Sequence, residues 1–158
     1  MAFFVHGAAG WTPVAHADGA SPANNTYQAV RTETTSTLRI VEFFIGGEAT
    51  ASTVNRMSLR RLSTNGATPT NQVPAALNPL SAASGSQGYV AATTGPTIAS
   101  TQHLGNFALN TFGGVVRWVA APGEEIWATA DAAPNGEVCL DSISGTGVVS
   151  TDIKFEEI

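Results

Sequence analysis

The sequence predicts a single all-β domain, and three observations predict it. Short apolar runs alternate with turn chemistry at short, even spacing. No stretch carries the 3.6-residue period of a long amphipathic helix. The terminal stretch alternates cleanly: Val149, Thr151, Ile153 and Phe155 face one way, Ser150, Asp152, Lys154 and Glu156 the other. A slip of one residue would bury those four polar groups, so its register is set. At 158 residues the chain is large enough for one real core.

Residues 1–25 form a separate compositional zone. Phe3, Phe4 and Val5 make a short apolar patch, and then Gly7, Gly10, Pro13, Gly19 and Pro22 interrupt any period. This predicts an extended N-terminal arm, anchored by its aromatic residues and Trp11 on its own domain or on a neighbour. Residues 26–158 are then the sandwich itself.

TYQAVRT, from Thr26, reads as a first strand. Leu38 to Ile45, LRIVEFFI, is apolar on both alternating faces, which predicts a central strand ended by Gly46-Gly47. In Thr53 to Ser63, Met57, Leu59 and Arg61 share one face and Ser58, Arg60 and Leu62 the other. The β-branched Thr50, Thr53 and Val54 favour strand over helix there. Asn65 to Asn78 reads as a loop. Asn78-Pro79 has the N-cap and first-turn chemistry of a short helix over Leu80 to Ser84, stopped by Gly85. Strands resume at Tyr89, and Thr97 to Thr111 reads as one broken or bulged near Gly105.

Gly113 to Trp127, GGVVRWVAAPGEEIW, places two strand-like runs around a Pro122-Gly123 turn. As a hairpin it would set Val119 opposite Ile126 and Trp118 opposite Trp127. Pro134-Asn135-Gly136 reads as a further turn. Val138 and Leu140 then alternate with Glu137, Cys139 and Asp141. The count is about eight antiparallel strands, a jelly-roll-like sandwich or barrel. Strand order stays open, because a jelly roll and other sandwiches share these signals.

Composition narrows the function. Charged residues are 12% of the chain, against roughly 25% in ordinary domains, so Ser, Thr, Asn, Gln, Gly and Ala cover the surface. The net charge of −5 argues against a nucleic-acid binder. The basic cluster Arg56, Arg60, Arg61 is too small for a phosphate track. Cys139 is alone, which excludes an intrachain disulfide. The N-terminus has no basic leader region and no run approaches a membrane span. Asn24-Asn25-Thr26 fits a glycosylation sequon but has no secretion signal to support it.

The chemistry-bearing residues are few. His6, His16 and His103 show no metal-ligand spacing, and no cofactor is predicted. No serine lies in a GxSxG elbow, although a Ser-His-Asp set assembled from distant positions stays open. Glu124-Glu125 and Glu156-Glu157 read as solvated acids. The expectation is a protein without enzymatic activity. Trp11, Trp118 and Trp127 fit a core or subunit interface better than a sugar platform.

Several stretches resemble a family of small virion structural proteins of tailed bacteriophages. They are the alternating strand and Thr/Pro loop from Met57 to Pro79, ending LNP; RWVAAPGEEIW at Arg117 to Trp127; the turn near Asn135-Gly136; and the terminal IKFEE. The resemblance covers about the last two thirds of the chain. It implies a capsid decoration, or cement, protein: a homotrimer of a jelly-roll-like domain on the outer surface of the phage head. The major capsid protein would be its partner, and synthesis would occur in the host cytoplasm. The family carries no catalytic motif. Phe3, Phe4, Trp11, Arg60 and Arg61 are the candidate assembly contacts. The alternative is a receptor- or carbohydrate-binding β-domain of a tail or fibre.

Overall fold

Two antiparallel sheets face each other, and successive long strands alternate between them. The computed structural model describes residues 2–18, 20–22, 27–32, 35–64, 72–90, 95–98, 103–129 and 136–158. Its strands are β1 (Ala2–Trp11), β2 (Gln28–Arg31), β3 (Leu38–Glu48), β4 (Val54–Thr64), β5 (Ala75–Ala76), β6 (Gln87–Tyr89), β7 (Thr97–Ile98), β8 (Gly105–Asn110), β9 (Phe112–Val119), β10 (Ile126–Ala128), β11 (Glu137–Ser144) and β12 (Val149–Glu157). The sequon, Asn135 of the expected turn and residues 65–71 of the expected loop lie outside the described residues.

The front sheet runs β5-β1-β12-β3, with β9 and β10 both paired to the far edge of β3. The back sheet runs β6-β2-β11-β4, with β8 and β7 on the far edge of β4. The eight principal strands pair in a nested series: β1 with β12, β2 with β11, β3 with β9, β4 with β8. That is one long antiparallel hairpin rolled over on itself. It gives β1-β12-β3-β9 in front of β2-β11-β4-β8, the strand order of a jelly roll.

The core lies between the sheets. Phe43 of β3 stacks on Trp118 of β9 at 4.7 Å and meets Phe107 of β8 edge-on at 5.2 Å, which joins front sheet to back. Met57, Leu59, Val138 and Leu140 supply the back wall, Ile40, Ile45, Ile153 and Phe155 the front.

The expected arm is corrected. Residues 2–11 form β1, hydrogen-bonded between β12 and β5 in the front sheet. Phe4, His6 and Ala8 point inward, and Trp11 joins them after a register shift. Trp11 Nε1 donates to Thr151 Oγ1 at 2.9 Å. A histidine and an alanine on the buried face, and a glycine and an alanine on the other, gave the stretch no hydrophobic alternation to read. Only the segment after Trp11 leaves the sheet.

Three local readings change as well. β3 keeps Leu38, Ile40, Phe43 and Ile45 inside, not one unbroken alternation. Lys154 pairs with Glu42 and Phe155 with Ile40, so Val41 is an extra residue that switches faces. The Pro122-Gly123 turn forms, with Glu124 N donating to Ala121 O at 2.9 Å and Gly123 at φ +89°, as a type II turn requires. It makes no hairpin. β9 and β10 follow one another along β3, so Trp118 lies opposite Phe43 and Trp127 opposite Arg39. Finally, Asn78 to Ser81 is a single turn closed by Ser81 N donating to Asn78 O at 3.0 Å, with Leu80 N donating to Asn78 Oδ1, and no helix follows. Its chemistry satisfies a turn equally well, and no apolar stripe continues beyond it to bury.

Candidate functional site

The two outer faces of the sandwich differ. On the back sheet, Ala29, Ser58, Arg60, Leu62, Glu137, Cys139 and Asp141 are at most 1% exposed although they point away from the core. Tyr27, Tyr89 and Leu62 build a second apolar cluster there with Cys139 and Ile98. The segment after β1 crosses this face as a strap. His16 N donates to Ser142 O at 3.2 Å, Ile98 N donates to Ser21 Oγ at 3.3 Å, and Pro13 and Pro22 are buried.

Under the strap sits a charged network. Arg60 donates to Asp141 Oδ2 through Nε (3.1 Å) and Nη2 (2.6 Å), and neither side chain has any exposed surface. Arg60 Nη2 also lies 3.0 Å from His16 Nε2, and His16 Nδ1 lies 3.1 Å from Ala17 O. The same His16 Nε2 lies 3.4 Å from Asp141 Oδ2, so the ring edge closes against both members of the pair. Asp18 Oδ1 lies 2.9 Å from His103 Nε2, and Ser58 Oγ bonds His103 Nδ1. This brings a serine, a histidine and an aspartate into one chain. Ser58 has no exposed surface, and its hydroxyl meets the His103 imidazole. What the chain does here is tie the strap, through Asp18 and His16, to β4 and β11. Among the described residues no group of three or more His, Cys, Asp or Glu is arranged to hold a metal ion.

Burial shifts three further groups. Burial pushes the Glu137 carboxyl up to about 8, with Arg31 opposing. Burial lowers the His6 imidazole to about 4. Burial also raises the Cys139 thiol, with Asp141 adding to it, which leaves the sulfur inert.

Among the described residues no strap crosses the front sheet's outer face, and register arranges it in rows. Phe3, Glu156, Arg39 and Trp127 lie across four strands; Val5, Lys154, Glu42 and Val119 follow; then Gly7, Asp152, Phe44 and Arg117. The middle columns hold ion pairs: Arg39 with Glu156, and Glu42 with Arg117 (2.8 Å) and Lys154 (3.1 Å). Arg117's hydrogen bond holds the Glu42 carboxyl below its usual range. Exposed apolar side chains stand at both ends of this sheet. Phe112, Val115, Val119 and Trp127 flank β3; Phe3, Val73, Leu77 and Leu80 flank β5.

Of the candidate assembly contacts, Phe4, Trp11 and Arg60 are used inside the protomer. Phe3 is 44% exposed, and Arg61 is half-buried. Trp118 packs on Phe43, and Trp127, 41% exposed, carries the Arg39 guanidinium at 5.8 Å from its ring. Asp18, Ser58 and Asp141 were not singled out from sequence. Their one signal is that Asp141 shares its alternating face with Cys139, a residue type that favours buried positions.

No family model matches the chain, and no curated protein matches it. Among solved structures it is similar to the Drosophila NLP core, described for pentamer formation and histone binding, at 14% identity and TM-score 0.30, covering 100% of this chain and 99% of that one. It is also similar to a chain of the Israeli acute paralysis virus particle, at 11% identity and TM-score 0.31, covering 100% and 68%. A nora virus chain matches at 6% identity and TM-score 0.31, covering 97% and 53%. The jelly-roll assignment rests on the strand order above, not on these scores.

Proposed function

We propose that this chain is a non-enzymatic virion structural protein, a capsid decoration protein that binds the outer surface of a tailed-phage head as a homotrimer. Its partners are further copies of itself and the major capsid protein. The role needs no cofactor, nucleic acid or membrane. The observation that carries the reading is the gathering of exposed apolar side chains at the two ends of one bare sheet. Two different apolar ends suit a head-to-tail contact, which closes into a ring when the rotation allows. The ion-paired, weakly charged face between them suits a second contact, because few unpaired charges must be desolvated. Repetition on a symmetric shell then turns modest contacts into a large avidity.

Light scattering on a sizing column tests the self-association. Three chain masses are expected. Co-sedimentation with undecorated heads tests the second contact, and bound protein should raise their disruption temperature. A monomer that also fails to co-sediment overturns the reading. The competing reading, a sugar-binding domain, has one observation in its favour: Trp127 is open enough to stack on a sugar ring. Quenching of its fluorescence in a glycan screen would favour that reading.

A further inference from the structure

The bare front face carries a built-in charge imbalance. Its cations are all engaged: Arg39 with Glu156 and Glu125, Arg117 and Lys154 with Glu42. Glu48 accepts from Ser150 Oγ. Asp152 alone among that face's described carboxylates has no ion pair or hydrogen bond. It borders a depression of about 210 Å³ lined by Gly7, Ala8, Ala9, Phe44, Ser150 and Thr151. Gly7 matters to its shape, because a Cβ there would stand 2.7 Å from Asp152 Oδ1. Small residues on β1 thus leave the carboxylate uncovered, and the half-buried Phe44 stands opposite Asp152 in the cross-strand register and lines the same depression.

We propose that this depression is a docking site for an arginine side chain of a protein partner, with Asp152 pairing the guanidinium and Phe44 offering its ring. Charge complementarity selects the guest. The site offers one unpaired negative charge and an aromatic face, in a protein of net charge −5. A guanidinium satisfies both at once, since it binds carboxylates in a planar fork and stacks on aromatic rings. A carboxylate guest would meet like charge, and an aliphatic guest would leave Asp152 desolvated and unpaired. The site goes beyond the decoration reading and does not depend on it.

The test is a titration of the isotope-labelled full-length chain with acetyl-Gly-Arg-Gly-amide, followed by amide NMR. The citrulline peptide, isosteric and neutral, is the control. Saturable shifts confined to the amides of Gly7, Phe44 and Asp152 are expected. Citrulline in the peptide, or Asp152→Asn in the protein, should weaken binding about three- to fivefold, the range of a partly exposed ion pair. Gly7→Ala, which displaces the carboxylate without removing it, should weaken binding as well. Absent shifts, shifts spread over the whole acidic surface, or equal binding by Asp152→Asn would overturn the proposal.

Discussion

Arg60 Nη2 lies 2.6 Å from Asp141 Oδ2 on the outside of a sheet, yet neither side chain has any exposed surface. The strap residues His16 and Asp18 close over them. Removing one member of such a pair leaves an uncompensated buried charge, at a cost of about 3–5 kcal/mol. Asp141→Ala and Arg60→Ala should each destabilise by about that much in urea unfolding. The double substitution Arg60→Met with Asp141→Leu should cost far less than the sum of the single ones. Additive losses would show that the two charges act separately.

Stability should depend on pH at two buried groups with opposite sign. Glu137 is raised from 4.5 to about 8, so the folded state binds the extra proton between those values. Raising the pH through that window therefore removes stability. His6 is lowered from 6.5 to about 4, so the unfolded state binds the extra proton, and acidifying through that window removes stability. The effects oppose each other between 4.5 and 6.5. Above 6.5 only the Glu137 loss continues. Glu137→Gln should abolish the decline in melting temperature between pH 6.5 and 8, and His6→Gln should shrink the one below pH 4.5, where protonation of Glu42, held low by Arg117, adds its own loss. An unchanged alkaline limb in Glu137→Gln would place the ionisation elsewhere.

Strands β12 and β1 differ in how far hydropathy marks their buried faces. β12 was legible because Val149, Thr151, Ile153 and Phe155 are apolar or β-branched on one face and polar on the other, and all four are buried. Even there Glu156 is covered, because Arg39 pairs with it across the strand. β1 was not legible, because His6 and Ala8 fill inward positions and hydropathy does not mark them. β9 and β10 looked like a hairpin, since a Pro-Gly turn is local chemistry, whereas their shared partner β3 is about 64 to 90 residues away in sequence. The network of Ser58, Arg60, His103, Asp18, His16 and Asp141 comes from four separate segments, so no spacing announces it.

Phe43 is the packing hinge between the sheets, touching Trp118 in front and Phe107 behind. Phe43→Ala should cost about 3–5 kcal/mol, the range for truncating a buried aromatic. Trp118 is half-buried, so Trp118→Ala should cost less than Phe43→Ala. Equal melting temperatures for the wild type and Phe43→Ala would contradict the assignment of this contact to the core.

Deleting residues 1–11 separates a dispensable arm from a structural strand. An arm could be removed with the sandwich intact. β1 cannot, because its loss strips β12 of a partner over most of its length and removes Phe4, Ala8 and Trp11 from the core. The Phe4 ring, 5.9 Å from Phe155, leaves a large cavity beside β12. Removal also detaches the strap from its anchor, so the buried Arg60–Asp141 pair loses its cover. The truncated chain should therefore lose its cooperative unfolding transition and its protection of β12 amides from hydrogen exchange. Residual β-type circular dichroism without that transition would still fit, since collapsed chains keep secondary structure. A sharp melting transition at the wild-type temperature would show that seven strands suffice and that β1 docks only as an accessory.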